Sequence, residues 1–381
     1  MVHVVVCGGG FGGLPAARAL RDRLDEGDRV TVIARDDQFF MGFAKLWALA
    51  GDRDLEDGTR GLQRLEASGI AFVQAEVTAI DPAARRIETS TETFAADGIV
   101  VALGAAPPPV HRDWLAGEDT LDLYDHRNIP HIRERLHGMQ EGRVVVAILG
   151  GPFKCPPAPY EATLIIDDIL RDRGVRDACD ITVVTPQPLT VPAAGVDASH
   201  FVASHLGERG VEVRTGSAVT GIAHGDGRVE LSDGSSLSFD LLLGVPADAP
   251  LEPVADSTVS DADGWIRPDP ATFRTAFDRV YATGDCTVIP TATGALPHAG
   301  VFAASGGVAA ATNLAADLRG GRTERFDGYG YCFLELPDQQ VAFIEGDFYA
   351  DPPDVSLTDP SREQYERKLA FERERLEHWL P

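Results

Sequence analysis

Cys155 follows Lys154 in the stretch FKCPPAPYE (Phe153 to Glu161), just ahead of a segment with helical spacing, APYEATLIIDDILRDRG. A thiol at a helix start beside a cation is favoured as the thiolate, because the peptide dipoles and the ammonium both stabilise the anion. Six residues on, Glu161 is a candidate general base for a small acidic substrate. Cys332, in GYCFLEL, is as readily a packed thiol as a reactive one. Cys7 in an apolar strand, Cys179 before a strand and Cys286 beside Asp285 read as structural. The five cysteines form no CxxC, no haem attachment and no paired zinc-ligand spacing. No metal site is therefore expected, and any disulfide must join cysteines far apart in the chain.

A second set of residues has the spacing of a phosphate cradle. Gly8, Gly10 and Gly13 satisfy GxGxxG between VHVVVC and GLPAARALRDRL, where glycine allows a tight turn and lets phosphate approach a helix N-terminus. Alone that match is weak. Ile99 to Gly104 (IVVALG), with Ala102 and Gly104, resembles the strand and turn that bring a chain back to an FAD domain. Thr275 to Asp285 (TAFDRVYATGD), with Gly284, resembles the second FAD signature, whose final Asp hydrogen-bonds the ribityl chain. The three separated motifs predict bound FAD. Beyond them, the helix in LPHAGVFAASGGVAAATNL is expected to start near His298 to Val301 and to stabilise negative charge at the flavin edge, although His298 is as readily structural. The acid expected about 20 residues past the last glycine is replaced by Ala34, leaving Asp36 or Asp37 to reach the ribose or Arg35 to pack on the adenine.

These residues need an α/β scaffold to position them. Strand, glycine turn, helix and strand occur twice, first at 2–33 and again at 143–185. The fold class expected is α/β, with two Rossmann-like dinucleotide-binding domains and a small C-terminal β-hairpin and helix region. The expected boundaries are 1–110 with 241–325 for a discontinuous FAD-binding domain, 111–240 for the second domain, and 326–381 for the C-terminal region. Proline-rich stretches at 107–109, 185–192 and 351–360 read as linkers. In the second unit the glycine turn runs Gly150, Gly151, Pro152, Phe153, Lys154, Cys155. Pro152 and Cys155 replace the glycines that let a pyrophosphate approach, so nicotinamide binding is expected to be lost. YCFLEL and VAFIEGDFY alternate as a hairpin with Cys332, Leu334 and Leu336 on one face. The C-terminal helix carries Tyr365, Leu369, Leu376 and Trp379 as a stripe expected to dock on the protein. Phe39, Phe40, Met41, Phe43 and Trp47 are expected to line a flavin pocket or quinone entrance, or simply to pack.

Composition limits the partners. With 381 residues, 44% of them hydrophobic, the chain can bury a large core, and its net charge of −25 argues against nucleic acid and anionic membrane surfaces. The chain opens directly on a strand, and no apolar run approaches the roughly 20 residues needed to cross a bilayer. A cytoplasmic location with at most peripheral membrane contact is expected. Lys45, Lys154 and Lys368 are the only lysines, which reads as compositional bias.

Taken together, FKCPPAPYE, GYCFLEL and the FAD motifs resemble the flavoprotein subunit of flavocytochrome c sulfide dehydrogenase and the related sulfide:quinone oxidoreductases, over essentially the whole chain. The resemblance implies a redox disulfide between Cys155 and Cys332 at the flavin, with Glu161 as base and Cys332 by the ring. In that reading Cys155 carries the sulfur and Lys154 only stands beside it; the resemblance also implies a small sulfur substrate and a quinone or c-type cytochrome as electron acceptor. Two other readings stay open: an NAD(P)H-dependent flavin reductase of the type II NADH dehydrogenase kind, and a non-catalytic FAD-binding partner subunit.

Overall fold

The computed structural model describes every residue except Thr293. Two five-stranded parallel sheets carry the architecture. The first orders Val280–Ala282, Gly98–Val101, His3–Cys7, Arg29–Ala34 and Ala71–Gln74. The second orders Thr120–Asp122, Leu241–Val245, Gly142–Ile148, Cys179–Val184 and Glu212–Arg214. Both central strands are buried almost throughout, as parallel strands covered by helices must be. Each sheet has a three-stranded antiparallel partner, at 77–95 and 219–238.

The strand Leu241–Val245 corrects the expected domain boundary. It pairs with Gly142–Ile148 and Thr120–Asp122, so it belongs to the second sheet, and the chain returns to the first domain only beyond Val245. The two crossing segments pair antiparallel there, Ala105–Ala106 with Ala249–Pro250. The 351–360 stretch is also no plain linker. Asp354–Leu357 adds a third strand beside Gln340–Asp347, because the hairpin Tyr329–Leu336/Gln340–Asp347 has an open edge to cover.

The C-terminal region ties the two domains together. Leu334, Leu336, Ala342 and Ile344 enter the core of the second domain, while Leu376, Trp379 and Leu380 enter that of the first. The helix Arg362–Trp379 starts at Ser361, whose side chain accepts from the Gln364 amide. It docks as its stripe predicts: Trp379 closes edge-to-face on Phe11 and Phe39, with ring centres 5.8 Å away in both cases. Trp379→Ala is expected to cost about 3–5 kcal/mol, the scale for deleting a buried large aromatic. Urea denaturation of the FAD-loaded protein measures it, and a loss under about 1 kcal/mol would show the helix end to be dispensable.

The expectation that no apolar run approaches membrane-spanning length is corrected at one helix. The helix Gly300–Arg319 is long and apolar enough to cross a bilayer by length and composition. Much of it is buried, and it lies so close to the first helix that a Cβ on Gly307 would stand 2.3 Å from the Gly12 carbonyl oxygen. Close packing inside the first domain accounts for its composition.

Candidate functional site

Cys155 and Cys332 are brought together by a loop of the second domain and a strand of the hairpin. The loop is pinned at Cys155, whose amide donates to the His298 carbonyl at 2.8 Å and whose own carbonyl accepts from Tyr124 Oη at 3.0 Å. Cys155 takes the left-handed conformation, φ 49°, that this double anchoring demands. Both thiols are free and half-buried. A hydrogen bond from Cys332 lowers the Cys155 pKa against burial and the Glu161 charge, with Lys45 and Lys368 adding to the lowering. The same hydrogen bond, then burial, pushes the Cys332 thiol well above its ordinary value. Of the pair, Cys155 is the more acidic and Cys332 the one that holds its proton more tightly.

The source of this activation differs from the expectation. The helix starts at Ala158, three residues past Cys155, and the dipole effect fades within a turn. Lys154 does not serve the sulfur: its Nζ donates to the Ala105 carbonyl at 2.9 Å and pairs with Asp248 at 3.2 Å. The cations that lower the Cys155 pKa most are Lys45 and Lys368.

Behind the pair lies a buried charge network. Lys368 Nζ sits 2.6 Å from Glu335 Oε2 and 3.2 Å from Glu161 Oε1. Glu161 Oε1 also accepts from the Glu335 amide at 2.7 Å, and Trp47 Nε1 donates to Glu335 at 3.0 Å. One ammonium therefore faces two carboxylates. Burial raises the Glu161 carboxyl above its ordinary value, with Lys368 and the Glu335 amide opposing that rise. Among the described residues Glu161 Oε2 accepts no hydrogen bond, which leaves it free to take a proton.

The residues expected to hold FAD converge around the first glycine turn. Gly8 has φ +118° and a Cβ there would lie 2.1 Å from the Ala102 carbonyl oxygen; one on Gly13 would lie 1.8 Å from that of Gly8. Gly10, by contrast, has nothing within 4 Å of its Cβ position, so the turn packs on one side and opens on the other. Gly104 closes the neighbouring turn at φ +72°. A cavity is lined by Gly284, Asp285, Thr287, Pro297, His298 and Ala299. Burial raises the Asp285 carboxyl, with His298 and Lys154 opposing. Val301 lies in the first turn of Gly300–Arg319. The open glycine face and the half-buried carboxyl at the cavity fit FAD. Arg35 stands exposed, 3.3 Å from Asp36, and Ala34 ends its strand against Gly9.

His298, expected as readily structural, is buried with Nδ1 2.8 Å from Asp248 Oδ2. Burial disfavours its charged form, but Asp248 and Asp285 together raise its pKa above the ordinary value. Asp248, Asp285 and His298 offer donor atoms within 4.8 Å of one another, a set that could hold a metal. Lys154 and His298 already balance Asp248. The remaining cysteines are packed as expected: Cys286 donates to the Thr283 carbonyl at 3.3 Å and burial pushes it up to about 12. Phe39, Met41 and Trp47 are core residues, with Phe40 and Phe43 half-buried. Sequence reasoning missed Lys45, Tyr124, Asp248, Glu335 and Lys368. The scarcity of lysine was the one signal that pointed to two of them.

The family model described as pyridine nucleotide-disulphide oxidoreductase matches residues 2–299. The mitochondrial sulfide:quinone oxidoreductase of Mus musculus is 23% identical over 95% of this chain and 82% of its own. The type II NADH:quinone oxidoreductase of Staphylococcus aureus is 24% identical over 85% of this chain and 84% of its own. Among solved structures, the sulfide:quinone oxidoreductase of Aquifex aeolicus superposes with a TM-score of 0.88 at 21% identity, covering 100% of this chain and 91% of that one.

Proposed function

Because this chain belongs to the pyridine nucleotide-disulphide oxidoreductase family and is an FAD-dependent oxidoreductase, we propose that it oxidises sulfide, or a similar small sulfur nucleophile, through a Cys155–Cys332 disulfide. The observation that carries this reading is the meeting of two free thiols, over 170 residues apart in sequence, with opposite proton affinities beside a buried carboxyl. In the oxidised enzyme, HS⁻ attacks the Cys155 sulfur. A new S–S bond forms there, the Cys155–Cys332 bond breaks, and its electron pair leaves on the Cys332 sulfur. The substrate proton passes by way of Glu161 Oε2 to Cys332, whose raised pKa favours the thiol. Cys155 is left as a persulfide anion. FAD, when bound, would supply the two-electron oxidant, and a second HS⁻ takes the outer sulfur away as HSS⁻ as the Cys155–Cys332 bond re-forms. Gly8, Gly10, Gly13 and Asp285 would hold it, and His298 links that site to Cys155 through its carbonyl. The acceptor that completes the cycle is a quinone, as in the names of the relatives, with a c-type cytochrome as the alternative.

A nicotinamide-dependent reaction is the second reading, favoured by the type II NADH:quinone relative and by the intact second sheet. Against it, the loop that would cradle the pyrophosphate has the Cys155 amide committed to His298 and the Pro152 carbonyl committed to the Asp248 amide. Anaerobic titration of the bound flavin with sulfide, NADH and NADPH in parallel separates the two. Loss of flavin absorbance with sulfide and not with either nicotinamide is expected. The reverse pattern would remove the sulfide reading.

A further inference from the structure

Lysine is scarce here, and its three copies gather at one place. Lys45, Lys154 and Lys368 are the only lysines among 34 basic residues, and all three belong to the surroundings of Cys155. Two are paired with carboxylates, Lys154 with Asp248 and Lys368 with Glu161 and Glu335. Lys45 is different. It is buried on the short helix Ala44–Ala50, and among the described residues it makes no ion pair. Its Nζ donates to the Gly42 carbonyl at 3.2 Å and lies 4.4 Å from the centre of the Tyr124 ring. Asp122 is no partner within ion-pair distance, and its Oδ1 accepts from the Tyr124 and Asp125 amides. A buried ammonium with one carbonyl and one aromatic face is under-compensated, so the site lacks an anion. The same Tyr124 that packs against Lys45 holds the Cys155 carbonyl at 3.0 Å, which places the ammonium and the Cys155 loop on one ring.

We propose that Lys45 is the counter-cation of the sulfur anion on Cys155, a positioning residue that stabilises thiolate or persulfide there and fits the site to small monoanionic sulfur species. This rests on the reading of Cys155 and Cys332 as a redox pair. Charge logic supports it. Burial lowers the Lys45 pKa, and the largest influence opposing that drop is Cys155, ahead of Asp122 and Glu161, while Lys154 adds to the lowering. The titratable groups around Cys155 include Cys332, Glu161, Tyr124, Lys45 and Lys368, and of these two lysines Lys368 is already shared by two carboxylates. Lys45 alone has charge to spare. A compact ammonium suits a single sulfur, whereas a guanidinium is shaped for a planar carboxylate.

The test is alkylation of the reduced, FAD-loaded enzyme by iodoacetamide across a pH series, with the Cys155 peptide read by mass spectrometry. Lys45→Met and Lys45→Gln are expected to lower the Cys155 rate at neutral pH by roughly tenfold and to move the profile to higher pH. Lys45→Arg, which keeps the charge, is expected to recover much of the rate. In the oxidised enzyme, where Cys155 carries no charge, thermal stability should hold or rise in the Met variant, since an unpaired buried charge is removed. Unchanged profiles in both neutral variants would overturn the proposal. So would a collapse of stability in both with Lys45→Arg normal, which would make Lys45 a structural residue. Wild-type enzyme is challenged with sulfide alongside. If sulfide leaves its flavin unchanged while the Lys45 profiles shift, the sulfide reading falls and the Lys45 assignment stands; if sulfide reduces the flavin but the profiles do not shift, only Lys45 is reassigned.

Discussion

Cys155→Ser and Cys332→Ser are each expected to abolish sulfide-driven loss of flavin absorbance while FAD content stays at the wild-type level. Attack on a disulfide requires an electrophilic sulfur and a leaving thiolate, and a serine at either position removes one of the two. The residues proposed to hold the cofactor, Gly8, Gly10, Gly13 and Asp285, belong to the first domain, and neither cysteine lies in its sheet. FAD retention therefore separates a chemical defect from a folding defect. In the as-purified enzyme neither thiol should be alkylated until reductant is added, whereas buried Cys7 should react only on unfolding. Full sulfide reactivity in either serine variant would show that the pair is not the redox centre.

Glu161→Gln is the second large effect, a fall in sulfide turnover of roughly 10²-fold or more, the scale of a lost general base. The amide keeps a carbonyl oxygen for the Glu335 amide and Lys368, so packing is preserved while proton affinity is lost. The pH dependence follows from the direction of the shift. A base acts only as the carboxylate, and burial has raised the Glu161 pKa. Wild-type activity should then be full at higher pH and fall as pH drops through a value above the ordinary carboxylate range. The glutamine variant should lack that acid limb. A variant rate equal to wild type between about pH 6 and 8 would reassign Glu161 to holding Lys368 in place.

Lys368 shows why the C-terminal helix is more than a cover. It brings an ammonium to Glu161 across 207 positions of sequence, and Trp47 reaches Glu335 across 288. Loss of the helix would leave two buried carboxylates facing each other beside the cysteines, a cost larger than the hydrophobic contact of Trp379 alone.

The local patterns were legible in the sequence. Strand, glycine turn and helix at 2–23 read as a phosphate cradle because tight turns demand glycine wherever they occur, and Gly8 and Gly13 do lack room for a Cβ. The hairpin around Cys332 was legible because alternation and a turn are near-neighbour properties, and its register pairs Cys332 with Ile344. The doubled βαβ pattern gave two sheets, though the strand Leu241–Val245 was assigned to the wrong one: an apolar run does not say which edge it joins. Tertiary structure decided the electrostatics. Lys154, adjacent to Cys155 in sequence, pairs with Asp248, while Lys45 and Lys368, more than 100 and 200 positions away, are the lysines that most lower the Cys155 pKa. In a buried site each charge is matched by whatever packing brings within a few ångströms, and residue spacing carries no record of that distance.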